Sequence, residues 1–135
     1  MPHPVDAKRI LRILWVLAIV VVIVASLLPS ESAPMRALEL LDLSDKVEHT
    51  AAYAALAFLP ALHERRRFVI GTAVGAVLLG VLLEYGQLYT GWRDFEVADM
   101  VADAIGVCVG LAVGLWLRHT GLAGTILSQG ATKGK

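Results

Sequence analysis

Three short stretches of the chain carry residues able to do chemistry: Asp45, Lys46, His49 and Tyr53; Glu84 and Gln87; and Arg93, Asp99 and Asp103. An imidazole titrates near neutral pH, which makes His49 a candidate acid, base or ligand, and Glu84 is a second candidate general base. Lys46 and Arg93 are cations suited to a phosphate or carboxylate headgroup, the arginine fork being able to hold two oxygens at once. Glu84, Asp99 and Asp103 with His49 are also of the types that bind a divalent cation. No spacing among them is specific to a metal, so neither a metal nor another cofactor is expected.

Spacing sorts these residues onto helix faces. At 100° per residue Asp45, His49 and Tyr53 share one side of a helix with Lys46 at its border, Glu84 and Gln87 are three apart, and Asp99 and Asp103 four apart. Glu48 points away from its stripe and reads as a cap or a headgroup contact. An ionisable residue inside a membrane span is costly unless paired or solvated, and it normally faces the bundle interior.

The composition makes a membrane the expected setting. Of 135 residues, 57% are hydrophobic and 18% charged, with a mean hydropathy of +0.68. Soluble domains average roughly 45–50% apolar and about 25% charged, so the excess must face something other than water. Twelve basic and twelve acidic residues cancel, and no basic stripe is interleaved with aromatics, which excludes a nucleic-acid partner. The single cysteine, Cys108, cannot make an internal disulfide and reads as a packing residue.

Four windows approach the roughly 20 apolar residues that a bilayer core requires. They are 10–28, 44–62, 68–89 and 97–117, and they predict an all-α, four-helix transmembrane bundle in one domain over residues 10–120. Residues 1–9 precede it and a loosely ordered tail with Gly121, Gly124, Gly130 and Gly134 follows over 121–135. Lysine and arginine set the orientation: nine lie before the first span, between the second and third, or after the fourth, against Arg36, Lys46 and Arg93 in the other loops. Both termini are therefore expected on the cytoplasmic side of the membrane. A cleaved signal peptide is the rival for the first window, but that stretch is longer than a usual signal core, and its removal would set a terminus against the charge bias. Pro29 and Pro34 break the following loop, where Met35, Leu38, Leu41 and Asp42 suggest a short interfacial helix. Trp15, Trp92 and Trp116 near span ends read as interfacial anchors.

With the spans so placed, all three polar stretches fall at one level, near the outer face. Gly106, Gly110 and Gly114 continue the acidic stripe of the fourth span as a doubled small-xxx-small pattern, and Gly71 with Gly75 repeats it on the third; these are helix-packing residues. Three functions remain open. The polar level can bind a membrane lipid or lipidated ligand, with Asp45, Lys46, Tyr53, Gln87, Arg93, Asp99 and Asp103 as the binding residues. It can act on a lipid-linked envelope substrate through His49 or Glu84, with Arg93 stabilising developing charge. Or it is a mutually neutralised polar plug in a structural subunit that packs against a membrane protein partner.

Asp45-Lys46 followed by His49 and Tyr53, then Glu84 with Gln87, then Arg93, Asp99, Gly106 and Gly110, resemble in order the motifs of the VanZ-like membrane proteins. The resemblance covers about Asp45 to Gly110. It implies a bacterial multi-pass protein of the cytoplasmic membrane, in a family named for a protein encoded with glycopeptide-resistance genes and linked to low-level teicoplanin resistance. Where the family commonly has asparagine before the first glycine of the fourth span, this chain has Asp103, which implies a net-negative site or a proton-sharing pair with Asp99.

Overall fold

The computed structural model describes residues 6–41, 43–122 and 124–125. It is all-helical, with α1 (Ala7–Leu27), α2 (Ala33–Glu39), α3 (Asp45–His63), α4 (Arg66–Thr90) and α5 (Val97–His119), and no strand among the described residues. The four long helices match the expected windows to within three residues at every end, and α2 fills the loop in which a short helix was expected. Asp42 and the tail beyond Thr125, with Gly130 and Gly134, lie outside the described residues.

Local chemistry sets the helix ends. Asp6 caps α1 by accepting the Lys8 N–H, and Ser44 caps α3 by accepting the Val47 N–H at 3.4 Å. Asp45 and Glu48 in the first turn of α3 lie against its positive dipole end. Gly91 ends α4 in the left-handed region, at φ 75°, which a residue with a Cβ reaches only with strain.

Helices α1, α4 and α5 are long and apolar enough to cross a membrane. In α1 only Val22 is buried, while Leu14, Leu17, Val20, Val21 and Val24 are exposed. Such a surface is untenable in water and natural against lipid chains. Helix α3 owes its lower apolarity to the polar residues of its first two turns. It occupies the middle of the bundle, touching α1, α4 and α5, and buries Tyr53, Leu56, Ala57, Pro60 and Ala61.

The closest seam joins α3 to α5, and small residues make it possible. A Cβ on Gly106 would collide with the carbonyl oxygen of Thr50, one on Gly110 with that of Ala54, and one on Gly114 would lie 2.7 Å from Ala61 Cβ. These three glycines meet the expectation of close packing. Gly71 and Gly75 do not, because a Cβ on either meets nothing within 4 Å. Both line a 440 Å³ hollow bordered by Trp15, Leu56 and Phe68, so the packing expected of that pair is not made among the described residues.

Pro60, inside α3, lacks the N–H that would satisfy Leu56 O one turn earlier. The Trp15 indole supplies the missing donor, at 3.0 Å. Trp15 is thus a half-buried partner to a helix defect, a task its spacing near a span end did not indicate.

At the His63 end of α3, charged groups bind three helices together. Arg12 Nε donates to Glu64 Oε1 at 2.5 Å, Arg118 Nη1 to Glu64 O at 2.5 Å, and His63 Nε2 sits 3.0 Å from Glu64 Oε1. The hydrogen bond from the Arg12 guanidinium outweighs the effect of burial and holds the Glu64 carboxyl below the usual carboxylate range.

Candidate functional site

The opposite end of the bundle gathers all three polar stretches. The stripe on α3 and the stripe on α5 face each other across the glycine seam. His49 Nδ1 lies 2.8 Å from Asp103 Oδ1, and His49 Nε2 lies 3.7 Å from Asp99 and 3.9 Å from Asp45. Asp99 and Asp103 are 4% and 2% exposed, so their charges depend on these partners rather than on water.

Lys46 answers most of that charge. Its ammonium pairs with Asp99, with Glu96 at 2.5 Å and with Asp45 at 3.4 Å. It is turned toward the start of α5, and it is absent from the lining of the cavities described below. Glu96, half-way along this bridge, was not singled out from the sequence; its place just ahead of α5 is the signal that could have found it.

Helix α4 contributes Glu84 and, one turn earlier, Gly80. A Cβ on Gly80 would lie 2.5 Å from Asp103 Oδ2, so the missing side chain is what admits the Asp103 carboxylate to the interface. Gly80 too was not foreseen, although a glycine four residues before Glu84 occupies the same helix face. Glu84 is 1% exposed and accepts the backbone N–H of Glu96 at 3.0 Å, closing the turn into α5.

Gln87 and Arg93 are drawn to α1. A helix leaves its last carbonyls without intrahelical donors, and here the next connection supplies them. Arg93 Nη1 donates to Ala25 O at 3.3 Å, Gln87 Nε2 to Ser26 O at 3.1 Å and Trp92 Nε1 to Leu27 O at 3.3 Å. Gln87 is buried by this contact and lines neither of the cavities described next. Trp92 is half-exposed, and its ring nitrogen has a structural task as well as an interfacial position.

Two cavities open beside the cluster. The deeper one, 220 Å³, lies between α1 and α3 with Val21, Val22, Met35 and Leu38 on one side and His49 and Tyr53 on the other. The second, 370 Å³, forms the mouth and adds Ser30, Glu39 and Leu43. They share Met35, Leu38, Asp45, Glu48 and Arg93, which makes them one cleft with an apolar depth and a charged entrance. Tyr53 is 1% exposed, and among the described residues its hydroxyl has no hydrogen-bond partner. Among the described residues Arg93 is the one permanent cation in the lining, 3.6 Å from Asp45. Glu48, which the spacing sets apart from the stripe, lines both cavities.

The arrangement therefore divides the expected site residues. Asp45, His49, Tyr53 and Arg93 line the cleft, Lys46, Asp99, Asp103 and Glu84 form the charged wall behind it, and Gln87 holds α1 in place. Asp45, His49 and Asp99 each bring one potential ligand atom to within 4.8 Å of the others. A divalent cation there would compete with Lys46 on Asp99 and with Arg93 near Asp45.

No family model, curated protein or solved structure matches the chain. Its likeness to the VanZ-like proteins accordingly rests on the motif residues themselves.

Proposed function

We propose that the chain is a VanZ-like protein of the bacterial cytoplasmic membrane that holds an amphiphile in the cleft between α1 and α3. In this reading α3 is a fourth span, sheathed by the three apolar helices. The termini lie on the cytoplasmic side, the arginines of residues 65–67 share that side, and the cleft opens at the outer leaflet. A lipid-linked envelope molecule, or a lipidated glycopeptide such as teicoplanin, has the two-part shape that the site calls for.

The observation that carries the proposal is the continuity of an apolar 220 Å³ cavity with a charged 370 Å³ mouth. A chain end fits the first, where Tyr53 lines the wall, and a polar headgroup fits the second. Native mass spectrometry of the gently extracted full chain tests it. A defined lipid should remain on the wild type and be depleted in Arg93→Ala and Tyr53→Phe; identical lipid profiles in all three would overturn the proposal.

A second reading is favoured by one contact. Asp103 at 2.8 Å from His49 Nδ1 orients the imidazole so that its other nitrogen serves as an acid or base beside the cleft. The chain is then an enzyme on the bound lipid-linked substrate. Turnover that survives both His49→Ala and Glu84→Gln would end that reading.

A further inference from the structure

We infer that the amphiphile held in the cleft bears a protonated amine in its headgroup, next to a phosphate or carboxylate. This rests on the cleft being an amphiphile site, as proposed above, and it follows from which charges face the mouth. Among the described residues three carboxylates line it, on Glu39, Asp45 and Glu48, against the single guanidinium of Arg93. Lys46 pairs with Asp45, Glu96 and Asp99, Arg36 of α2 pairs with Glu31, and neither takes part in the lining.

The carboxylates differ in how far they are answered. Asp45 has Lys46 at 3.4 Å and Arg93 at 3.6 Å, whereas neither Glu39 nor Glu48 has an ion-pair partner among the described residues. Glu48 is half-buried at the point where the two cavities join, so a cation beside it is better rewarded than one at an exposed surface. A purely anionic headgroup would meet Arg93 and be repelled by the unanswered charges of Glu39 and Glu48. A zwitterionic one sets its anion on Arg93 and its ammonium between Glu39 and Glu48, each charge meeting its opposite. The depth adds the remaining requirement. Below Glu48 the walls are Val21, Val22 and Ala52, so the amine must belong to a molecule with an apolar tail rather than to a free amine.

The test uses the full chain in detergent, stripped of lipid and titrated under native mass spectrometry with three probes. They are phosphatidylethanolamine, phosphatidylglycerol with the same acyl chains, and the chain-free headgroup glycerophosphoethanolamine. The wild type should prefer phosphatidylethanolamine to phosphatidylglycerol by roughly tenfold and retain little of the chain-free compound. In Glu39→Gln/Glu48→Gln, whose side chains have no folding partner, that preference should shrink roughly fivefold with phosphatidylglycerol binding rising. Arg93→Ala should weaken both lipids, with Arg93→Lys restoring part of the loss if the α1 cap is disturbed. Arg93-dependent retention of both lipids without preference, or with phosphatidylglycerol ahead, would overturn the amine and leave the amphiphile site standing. Retention of neither lipid, or of the chain-free compound as well as the lipids, would overturn both.

Discussion

Helix α3 has a histidine near each end, and their surroundings are opposite in kind. His63 sits beside a small 140 Å³ cavity, in a knot where one carboxylate, Glu64, is held by Arg12 and its backbone carbonyl by Arg118. His49 sits among Asp45, Asp99 and Asp103 beside an open cleft, with Glu39 and Glu48 unanswered at its mouth. Both ends join the same helices. At the His63 end the one carboxylate has its partners in place and the exposed Arg65, Arg66 and Arg67 leave a surplus of cations, whereas at the His49 end Glu39 and Glu48 leave a surplus of carboxylates beside a cleft. What distinguishes the two ends is the sign of the charge left over rather than the number of charged residues.

The largest expected effect removes what the two ends share. Gly110→Leu drives a side chain into the backbone at Ala54, and it should lower stability by more than about 3 kcal/mol or prevent accumulation of folded protein. Gly75→Leu, whose added Cβ meets nothing within 4 Å among the described residues and whose side chain enters a hollow, should change thermal stability in detergent by less than about 0.5 kcal/mol. Equal damage from both would mean that the Gly71 and Gly75 face is covered.

A smaller effect lies between the ends. Trp15→Phe strips the donor from Leu56 O and should cost about 1–2 kcal/mol in chemical denaturation. In a Pro60→Ala background the helix regains its own N–H, and the same substitution should cost less than half as much. Full additivity of the two changes would deny that the indole compensates for the proline.

The smallest effect sharpens the contrast directly. Glu64→Gln should cost about 1 kcal/mol or less, since Arg12 is largely solvent-exposed, and should leave lipid retention unchanged. Because its folded-state pKa is depressed, the contribution of Glu64 is complete above its ordinary value of about 4.3 and fades as the pH falls through the lower folded value. Melting curves of wild type and Glu64→Gln should therefore converge on acidification. A gap that widens at low pH would reverse the assignment, and a lipid-binding defect in Glu64→Gln would make the His63 end part of the site.

Periodicity made much of this legible. The four long helices follow from apolar windows, and the meeting of His49 with Asp99 and Asp103 follows from stripes three or four residues apart with glycines below them. Which individual side chains pair across the helices was less legible. Nothing local tells Lys46 to choose Glu96 and Asp99 over a ligand, or the amide of Gln87 to seek Ser26 O. Small-xxx-small spacing marks a face able to pack without naming its neighbour, which is why Gly106 and Gly110 meet α3 while Gly71 and Gly75 meet nothing. The Trp15 contact needed both the proline defect and the knowledge that α1 crosses it.

The capping of α1 has a consequence in time. Its last carbonyls, at Ala25, Ser26 and Leu27, receive their donors from Arg93, Gln87 and Trp92, more than sixty positions later in the chain. During synthesis the first helix enters before those residues exist, and its trailing end must lean on water or lipid headgroups until α4 has been threaded. Helix α1 is thus completed only once α4 and the turn after it have been made, and a chain halted before Gln87 would carry it unfinished.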